Sequence, residues 1–262
     1  MNIKTLVFFS LFFILFPLTS AATVFTLYDE TQGNLPDDQV WLSYAADGVA
    51  ATSNAVAGGV QLQTDTSVSV SAGFSNYTLF PLGLKNSLFP TLNSTTGFTL
   101  SFTMQLHAET HISNDRAGFS VILLDENNRG VELGFWQDLI WSQSDSPLFQ
   151  AKDEQFAFDT TASMVDYDLT LLQDKYYLTQ GGTILLTGGL KDYSAFTIPY
   201  SLPNYLFLGD DTSSASADVT LGGILLSDNA LFSVPEPSLI VLICLGLLGL
   251  FRHYPVSKEV EA

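Results

Sequence analysis

The clearest structural signal in the sequence is the segment GFTLSFTMQLH, residues 97–107. Phe, Leu and Met side chains alternate here with Ser, Thr and Gln, so an extended chain would be apolar on one face and polar on the other. Such a pattern is typical of an antiparallel strand that packs one face on a core and turns the other to water. The segment therefore predicts a half-buried strand.

The same alternation continues on both sides of this segment. It recurs in shorter runs at residues 60–62, 68–70, 119–123, 131–135, 167–171 and 219–221. Clusters of Asp, Asn and Gly separate the runs, as at 125–130, and no apolar pattern between 23 and 233 has the period of a three-turn helix. Many short strands joined by such turns predict an all-β protein, an antiparallel jelly-roll sandwich over residues 23–233.

The composition narrows the range of partners. The chain of 262 residues has 27 acidic against 9 basic side chains and a net charge of −18, so its field repels phosphate backbones. We therefore expect no nucleic-acid partner, whereas calcium and cationic surfaces stay open. The single cysteine, Cys244, lies in a C-terminal apolar run, so the β domain has no disulfide and no thiol chemistry.

The N-terminal residues 1–22 have the three parts of a secretory signal peptide. Lys4 supplies the positive charge, residues 6–18 form the apolar part, and small residues suit cleavage after Ala21 or Ala22. A retained membrane helix is the alternative, but the apolar part is short and no basic residue stops it. We expect export through the Sec route.

The C-terminal segment, residues 234–262, combines a short motif with an apolar run. The motif reads VPEPS at 234–238, and the run covers 239–251 up to Arg252. Proline does not fit inside a helix, so a helix would begin near Ser238 and leave the motif extended and accessible. The run predicts a transmembrane helix about 20 Å long, shorter than the ~30 Å hydrocarbon core. A buried core helix is the alternative interpretation.

This C-terminal segment resembles the PEP-CTERM sorting signal of Gram-negative bacteria. Pro235, Glu236 and Pro237 match its triplet, and Arg252 matches the basic residue that ends its apolar helix. The resemblance implies processing by an exosortase at the membrane and a final location at the cell surface or in the extracellular matrix, where such proteins associate with exopolysaccharide and biofilm. The mixed tail at 254–262 departs from the family, which usually ends soon after the basic residue.

Five segments of the β domain follow one another in an order that suggests a family. They are residues 97–102, 118–121, 167–171, 177–182 and 206–215. This order resembles the concanavalin-like lectin and laminin-G jelly rolls, and the exported "choice-of-anchor" domains that bacteria join to sorting tails. The resemblance implies a lectin-like sandwich and brings no catalytic motif with it.

Aromatic side chains in the middle of the chain are candidates for stacking on a sugar ring. They are Trp136, Trp141 and Tyr176. Trp136 has the opposite strand parity to Phe135, so on a strand it would leave the core and face solvent. The alternative is that such a Trp packs beneath a loop. The sequence thus predicts a possible glycan or exopolysaccharide site at these residues.

A polysaccharide-cleaving enzyme is the competing hypothesis. Related glucanases carry the acids Glu-x-Asp-x-x-Glu on one strand, and this spacing is absent here. Glu132 is the single acid within 131–137, and its parity is opposite to that of the apolar residues, so we expect a solvated strand residue. The sequence therefore favours a non-catalytic domain, while acids contributed by separate strands keep the enzyme hypothesis open.

Acidic residues at predicted strand ends are candidates for calcium. Asp210 and Asp211 follow one strand and Asp125 follows another, and hard cations take carboxylate oxygens from such loops. Asp is also common at these positions because it stabilises turns. No spacing matches an EF-hand, so a site would have to assemble from two loops.

Overall fold

The computed structural model describes residues 22–47, 51–64, 71–145 and 147–231. Residues 1–21 of the predicted signal peptide, and the sorting segment with its helix at 239–251, lie outside this part of the chain. Within it, no helix is both long and apolar enough to cross a membrane.

The described residues form strands and two short 3-10 turns, at Glu30–Gln32 and Pro36–Asp38. In chain order the strands are β1 (Val24–Tyr28), β2 (Ser43–Asp47), β3 (Thr52–Val56), β4 (Gly59–Gln63), β5 (Ser71–Ser75), β6 (Tyr77–Leu79), β7 (Leu82–Leu84), β8 (Phe98–His111), β9 (Ser120–Leu124), β10 (Arg129–Phe135), β11 (Leu139–Asp145), β12 (Leu148–Ala157), β13 (Val165–Leu172), β14 (Lys175–Gln180), β15 (Thr183–Gly189), β16 (Lys191–Asp192), β17 (Leu206–Asp210) and β18 (Ala215–Ser227).

The strands build two antiparallel sheets and one separate hairpin. The first sheet, here called the β8 sheet, has the order β15-β14-β13-β8-β18-β4-β3, and β1 also pairs with β18. The second, the β10 sheet, has the order β12-β11-β10-β9-β17-β5-β2, and β16 pairs with β10. Strands β6 and β7 pair only with each other. This architecture confirms the prediction of an all-β antiparallel sandwich.

Strand β8 is the longest strand in the described chain and includes all of the predicted segment except Gly97. Its inward side chains are Phe98, Leu100, Phe102, Met104 and Leu106, each no more than 2% exposed. The strand continues beyond 107 because β18 pairs with it as far as 111, where alternation in the sequence has already stopped. Because only one face of β8 is apolar, burial of that face fixes the register of β8 with its two neighbours, β18 and β13.

The core lies between the two sheets. On β10 the inward residues are Val131, Leu133 and Phe135, all fully buried. Phe102 stacks on Tyr167 within the β8 sheet at 5.4 Å and meets Phe135 of the opposite sheet edge-on at 6.2 Å. Aromatic rings therefore join the sheets across the middle of the sandwich.

The first and last described strands lie side by side. The Thr23 backbone N–H donates to Asp228 Oδ1 at 2.7 Å, and the Asp228 N–H donates to the Thr23 carbonyl at 3.1 Å. The chain therefore enters and leaves the sandwich at one end, here called the entry end, where β8 begins. The opposite end, called the far end, holds the pairing of His111 with Ala215.

Candidate functional site

A second, smaller apolar cluster covers part of the outer face of the β10 sheet. Ile122 and Leu124 alternate away from the main core and pack against Tyr193 and Tyr205. These tyrosines belong to residues 193–205, a segment that crosses the sheet between β16 and β17. The outer face of β9 is thus buried, although on an uncovered sheet it would meet water.

A groove of about 530 Å³ runs along this face between the β6–β7 hairpin and the segment 193–205. We call it the apolar groove. Besides Ala45, Ala46 and Ala72, its apolar and aromatic lining consists of Tyr77, Leu79, Phe80, Ile198, Pro199, Leu202, Tyr205 and Phe207. Phe80 is 95% exposed and Ile198 is 54% exposed, so the rim offers apolar surface to solvent. Asp210 and Asp211 lie at its polar end.

The floor of the groove depends on a small residue. Gly73 on β5 lies beneath Phe207, and a Cβ atom there would come within 2.5 Å of the Phe207 ring. Glycine therefore lets that ring lie flat against the sheet, and the groove keeps its depth.

Two carboxyl groups meet one hydroxyl behind the polar end of the groove. Tyr200 Oη lies 2.5 Å from Glu132 Oε2 and 3.1 Å from Asp211 Oδ2. One hydroxyl has a single proton, so two hydrogen bonds there require a second proton on a carboxyl group. Burial raises the pKa of both carboxyl groups, and the charge of Asp211 raises that of Glu132 further, well above its ordinary value, so Glu132 is the more favoured site for this proton. We call Glu132, Tyr200 and Asp211 the acid cluster.

Other groups around the acid cluster adjust its charge. Burial and then the charge of Glu132 raise the pKa of Tyr200, so its phenol stays neutral. The Arg116 guanidinium opposes the rise in the pKa of Glu132 without cancelling it. Burial raises the pKa of Asp210 to about 8, although its carboxylate accepts from Thr64 Oγ1 at 2.7 Å. The polar end of the groove therefore carries less negative charge at neutral pH than its number of acidic side chains indicates.

The position of Glu132 corrects one prediction. The side chain does leave the main core, as its parity indicated, but it is only 4% exposed and is not solvated. Segment 193–205 covers it, and the Tyr193 hydroxyl accepts from the Glu132 backbone N–H at 3.1 Å. Strand alternation reports which face a residue takes and says nothing about what later covers that face.

Of the three predicted sugar-binding aromatics, Trp136 and Trp141 meet edge-on with ring centroids 5.9 Å apart, but the three rings do not form one exposed site. The Trp136 ring has His111 parallel to it at 3.9 Å and Lys152 Nζ 3.7 Å from its centroid, so other side chains already contact it. Trp141 is 1% exposed and lies over Gly134, while Tyr176 is fully buried in the β8 sheet, where its hydroxyl donates to Glu154. Neither of these two rings presents a face to solvent, which corresponds to the packing alternative.

The three predicted calcium ligands are also apart. Asp125 lies at the entry end, where it accepts from Ser94 Oγ at 2.6 Å and from the backbone of 127 and 129. Asp210 and Asp211 lie at the far end, and Asp210 accepts from the Thr212 N–H at 3.0 Å. These contacts are those of turn-stabilising aspartates. Within the described ranges, no group of three His, Cys, Asp or Glu side chains could hold a metal ion.

Sequence reasoning did not find Phe80 or Tyr200. Both lie in segments without strand alternation, and the pairing of Tyr200 with Glu132 joins residues 68 positions apart. The signal that was available is composition, because residues 193–205 contain four aromatic side chains among Ser, Pro and Thr. Such a segment is too apolar for a free loop.

A comparison with protein-family models identifies a PEP-CTERM protein-sorting motif at residues 233–253. Pro235, Glu236, Pro237 and Arg252 lie within the matched range, which confirms the resemblance drawn from the sequence. The motif implies an exported surface protein that is processed by an exosortase. No curated protein matches the chain.

Solved structures similar to this chain include proteins that act on carbohydrates. A carbohydrate esterase, vb_24B_21 from Shiga toxin-encoding bacteriophage phi24B, has 14% identity and a TM-score of 0.48 over 79% of this chain and 100% of its own. Alginate lyase A1-II', of polysaccharide lyase family 7, has 13% identity and a TM-score of 0.43 over 71% and 86%. Trypanosoma rangeli sialidase has 14% identity and a TM-score of 0.42 over 71% and 28%. Likenesses at this level do not carry over an activity or a substrate.

Proposed function

We propose that the protein is an exported cell-surface or extracellular-matrix protein whose β-sandwich binds a polysaccharide without cleaving it. The observation that carries this proposal is the apolar groove, with exposed Phe80 at its rim and the carboxylate of Asp211 at its end. A sugar ring is apolar on its faces and polar at its edges. Aromatic surface with a few fixed polar groups suits both parts of such a ligand.

The dimensions and exposure of the groove support binding. Its volume of about 530 Å³ lies within the ~300–1,000 Å³ typical of ligand sites. Leu79, Phe80 and Leu82 at the hairpin tip are 49%, 95% and 46% exposed, and Ile198 across the groove is 54% exposed. Contiguous apolar surface of this kind is typical of an interaction site. The sorting motif supports export, and an exported protein would meet exopolysaccharide outside the cell.

Cleavage of the polysaccharide is the second candidate, because the acid cluster favours it. Because both carboxyl oxygens lie near one hydroxyl, at 2.5 and 3.1 Å, their separation cannot exceed the sum of these distances, an upper limit close to the ~5–5.5 Å that retaining glycosidases use. Glu132 also has the raised pKa that a general acid needs. Against this, Glu132 is 4% exposed and Tyr200 lies between it and solvent, so a glycosidic oxygen does not reach it. Binding is therefore the function that we favour.

A binding experiment tests the first candidate. We would measure the dissociation constant of the processed protein for a panel of polysaccharides that includes dextran, a soluble β-glucan, alginate and chitosan. Phe80→Ala should weaken binding by about tenfold, the effect of losing one aromatic contact together with its buried area. Leu88→Ala is the matched control, because Leu88 is 76% exposed and does not line the groove. The proposal fails if the wild type binds no polysaccharide of the panel, or if Phe80→Ala and Leu88→Ala bind with the same dissociation constant.

A release assay tests the second candidate. New reducing ends would be measured after incubation of the wild type, Glu132→Gln and Asp211→Asn with each polysaccharide that binds. A binding protein releases none. If the wild type releases reducing ends and both variants release them about 100-fold more slowly or less, the protein is instead a glycosidase that uses the acid cluster.

The sorting part of the proposal is tested by intact mass and fractionation in the host. The wild type should lose both ends and leave the membrane fraction. A triple variant, Pro235→Ala with Glu236→Ala and Pro237→Ala, should stay in the membrane fraction with its tail. Pro255→Ala, outside the matched residues 233–253, is the control and should behave as the wild type. A wild type that keeps residues 239–262 would contradict processing at the motif.

A further inference from the structure

Four exposed aliphatic side chains lie in segments that meet at the entry end of the sandwich. They are Val24 (55% exposed), Val40 (62%), Leu88 (76%) and Leu231 (56%). We call these four side chains the entry surface. Single exposed apolar residues are common on proteins, so what matters here is that these four come from different parts of the chain and are gathered at one end.

An aromatic row on the main core holds the entry surface together. Phe25 meets Trp41 edge-on at 5.7 Å, and Trp41 meets Phe89 edge-on at 6.4 Å. Each of these rings is preceded in the sequence by one of the exposed aliphatic residues. The fourth, Leu231, is fixed at the start of β8, where its backbone N–H donates to Thr99 Oγ1 at 2.9 Å. The entry surface is therefore built on ordered backbone.

The length of the following chain keeps this end close to a membrane. The sorting motif begins at residue 233, and the apolar run begins at residue 239. Seven residues, 232–238, separate Leu231 from that run, and seven residues span at most about 25 Å when fully extended. Strand β8 has 14 residues and is about 45 Å long, so this tether is shorter than the sandwich. While the run is in a bilayer, the entry end is held next to lipid.

We propose that the entry surface contacts the lipid bilayer in the unprocessed chain. This inference goes beyond the proposed function and takes from it only the C-terminal anchor. Transfer of apolar side chains out of water is favourable, and a short tether raises the effective concentration of lipid at this end. A few exposed side chains then suffice for contact. The net charge of −18 disfavours anionic headgroups, so the partner is a zwitterionic lipid surface.

The apolar groove stays accessible in this orientation. None of the four residues of the entry surface lines it. Its polar end contains Asp210, which pairs with Ala72 toward the far end of the sandwich, away from the tether. Phe80 lies beside that part of the groove, on the outer face of the β10 sheet. A chain held at the membrane by its entry end can therefore still bind a polysaccharide.

A fluorescent label tests the contact with lipid in the full, unprocessed chain. The chain would carry Cys244→Ser, so that Leu88→Cys provides the single cysteine for an environment-sensitive dye. In phosphatidylcholine vesicles, the emission of this label should shift to the blue, and nitroxide groups on the lipid acyl chains should quench it. The matched control is a label at Ile112→Cys, because Ile112 is 84% exposed and follows His111 at the far end. That label should show neither change.

Two substitutions separate the entry surface from the groove. Val40→Asp puts a charge on the entry surface and should reduce the quenching of the label at residue 88. Phe80→Asp puts the same charge on the rim of the groove and should leave that quenching unchanged. Both side chains are largely exposed, at 62% and 95%, so neither change should unfold the domain.

Each other outcome decides against part of this picture. If the chain floats with the vesicles but the label at residue 88 is not quenched, or is quenched no more than the label at residue 112, the lipid contact is wrong and polysaccharide binding is unaffected. A blue shift without quenching by lipid would mean that a second copy covers the surface, which also overturns the proposal. A chain that does not float with the vesicles lacks the anchor, and this result removes the sorting part of the proposed function as well. Quenching at residue 88 in a protein that binds no polysaccharide overturns the binding function alone.

Discussion

The outer faces of the two sheets differ in how their polar groups are satisfied. On the β8 sheet, Ser101 donates to Asp168 at 2.5 Å and Thr103 donates to Asp166 at 2.6 Å across the β8–β13 pair. On the β10 sheet, the corresponding face carries the buried Glu132, the apolar groove and the buried Ser43 hydroxyl, which has no hydrogen-bond partner among the described residues. Both sheets alternate apolar and polar residues with the same period.

The difference shows where binding can be expected on such a sandwich. A face whose side chains pair with their neighbours meets water and needs nothing else. A face that holds unpaired polar atoms, exposed apolar side chains and protonated carboxyl groups is less stable alone than with a partner. The β10 face therefore carries the candidate site, although the β8 face has a groove of its own at Asp166 and Asp168.

The largest effect expected from this contrast is a loss of stability as the pH rises. Asp210, with a folded pKa of about 8, and Glu132 keep their protons in the fold, whereas the unfolded chain loses them near pH 4. The folded state then binds more protons across this window, so stability is full below about pH 4 and falls toward pH 8. We expect a fall of a few kcal/mol, as an order of magnitude, in urea unfolding at pH 4.5 and 8.

Two variants assign this dependence on pH to the β10 face. Asp210→Asn and Glu132→Gln should each reduce the fall in unfolding free energy between pH 4.5 and 8. A stability that rises with pH through this window, and that neither variant changes, would show that these carboxyl groups are ionised in the fold.

The next largest effect tests how rigidly the β10 face is covered. A Cβ atom on Gly134 would lie 2.5 Å from the ring of Trp141, which is 1% exposed. Gly134→Ala should therefore cost about 1–3 kcal/mol in the free energy of unfolding, measured in urea. Gly83→Ala is its control, since nothing lies within 4 Å of its Cβ position and a change within about 0.5 kcal/mol is expected. Equal stabilities would mean that the Trp141 ring is easily displaced.

A smaller effect compares a paired hydroxyl with an unpaired one. Thr99 and Thr170 are fully buried on the β8 sheet with their Oγ1 atoms 2.8 Å apart, and the Leu231 N–H donates to Thr99 Oγ1 at 2.9 Å. Thr99→Val leaves two groups without a partner, so it should lower the free energy of unfolding by about 1–2 kcal/mol. Ser43→Ala on the β10 face should leave the free energy of unfolding unchanged. If both variants lose the same amount, the contrast between the faces is wrong.

The double variant sharpens this result. Thr99→Val with Thr170→Val removes both partners of one bond, so its cost should be less than the sum of the two single costs. Additive costs would show that the two hydroxyls do not interact.

The smallest effect concerns Asp218 on β18, which is partly exposed on the outer face of the β8 sheet. Asp218 accepts from Gln61 Nε2 at 2.7 Å and from Gln63 Nε2 at 2.8 Å. Asp218→Asn keeps one acceptor and removes one negative charge from a highly acidic chain. The free energy of unfolding, measured by thermal denaturation, should therefore change by less than about 1 kcal/mol. A larger loss would mean that this face is not the solvated surface that its pairing indicates.

The sequence was sufficient to predict the strands that have one apolar face. Apart from Gly97, residues 97–107 fall within β8, and residues 131–135 and 167–171 fall within β10 and β13, because alternation and burial coincide there. The run at 68–70 lies outside the described residues. Alternation also gave the correct face for Glu132.

The candidate site could not be predicted in the same way. It depends on residues 193–205 and on the β6–β7 hairpin, which cross the outer face of a sheet whose strands come from distant parts of the chain. No local pattern around Phe80 or Tyr200 records that contact. The hydrogen bond of Tyr200 to Glu132 arises only when the sheets assemble.

The position of β18 has a mechanical consequence. This last strand lies in the interior of the β8 sheet, paired with β8 from Ala215 to Ser227 and flanked on its other side by β4 and β1. Tension applied to the chain beyond residue 231, while a ligand holds the β10 face, would pull β18 along its own axis. Hydrogen bonds perpendicular to that axis then share the load together and do not open one after another. A domain that binds a polymer and is held by its C-terminal end would resist being pulled apart.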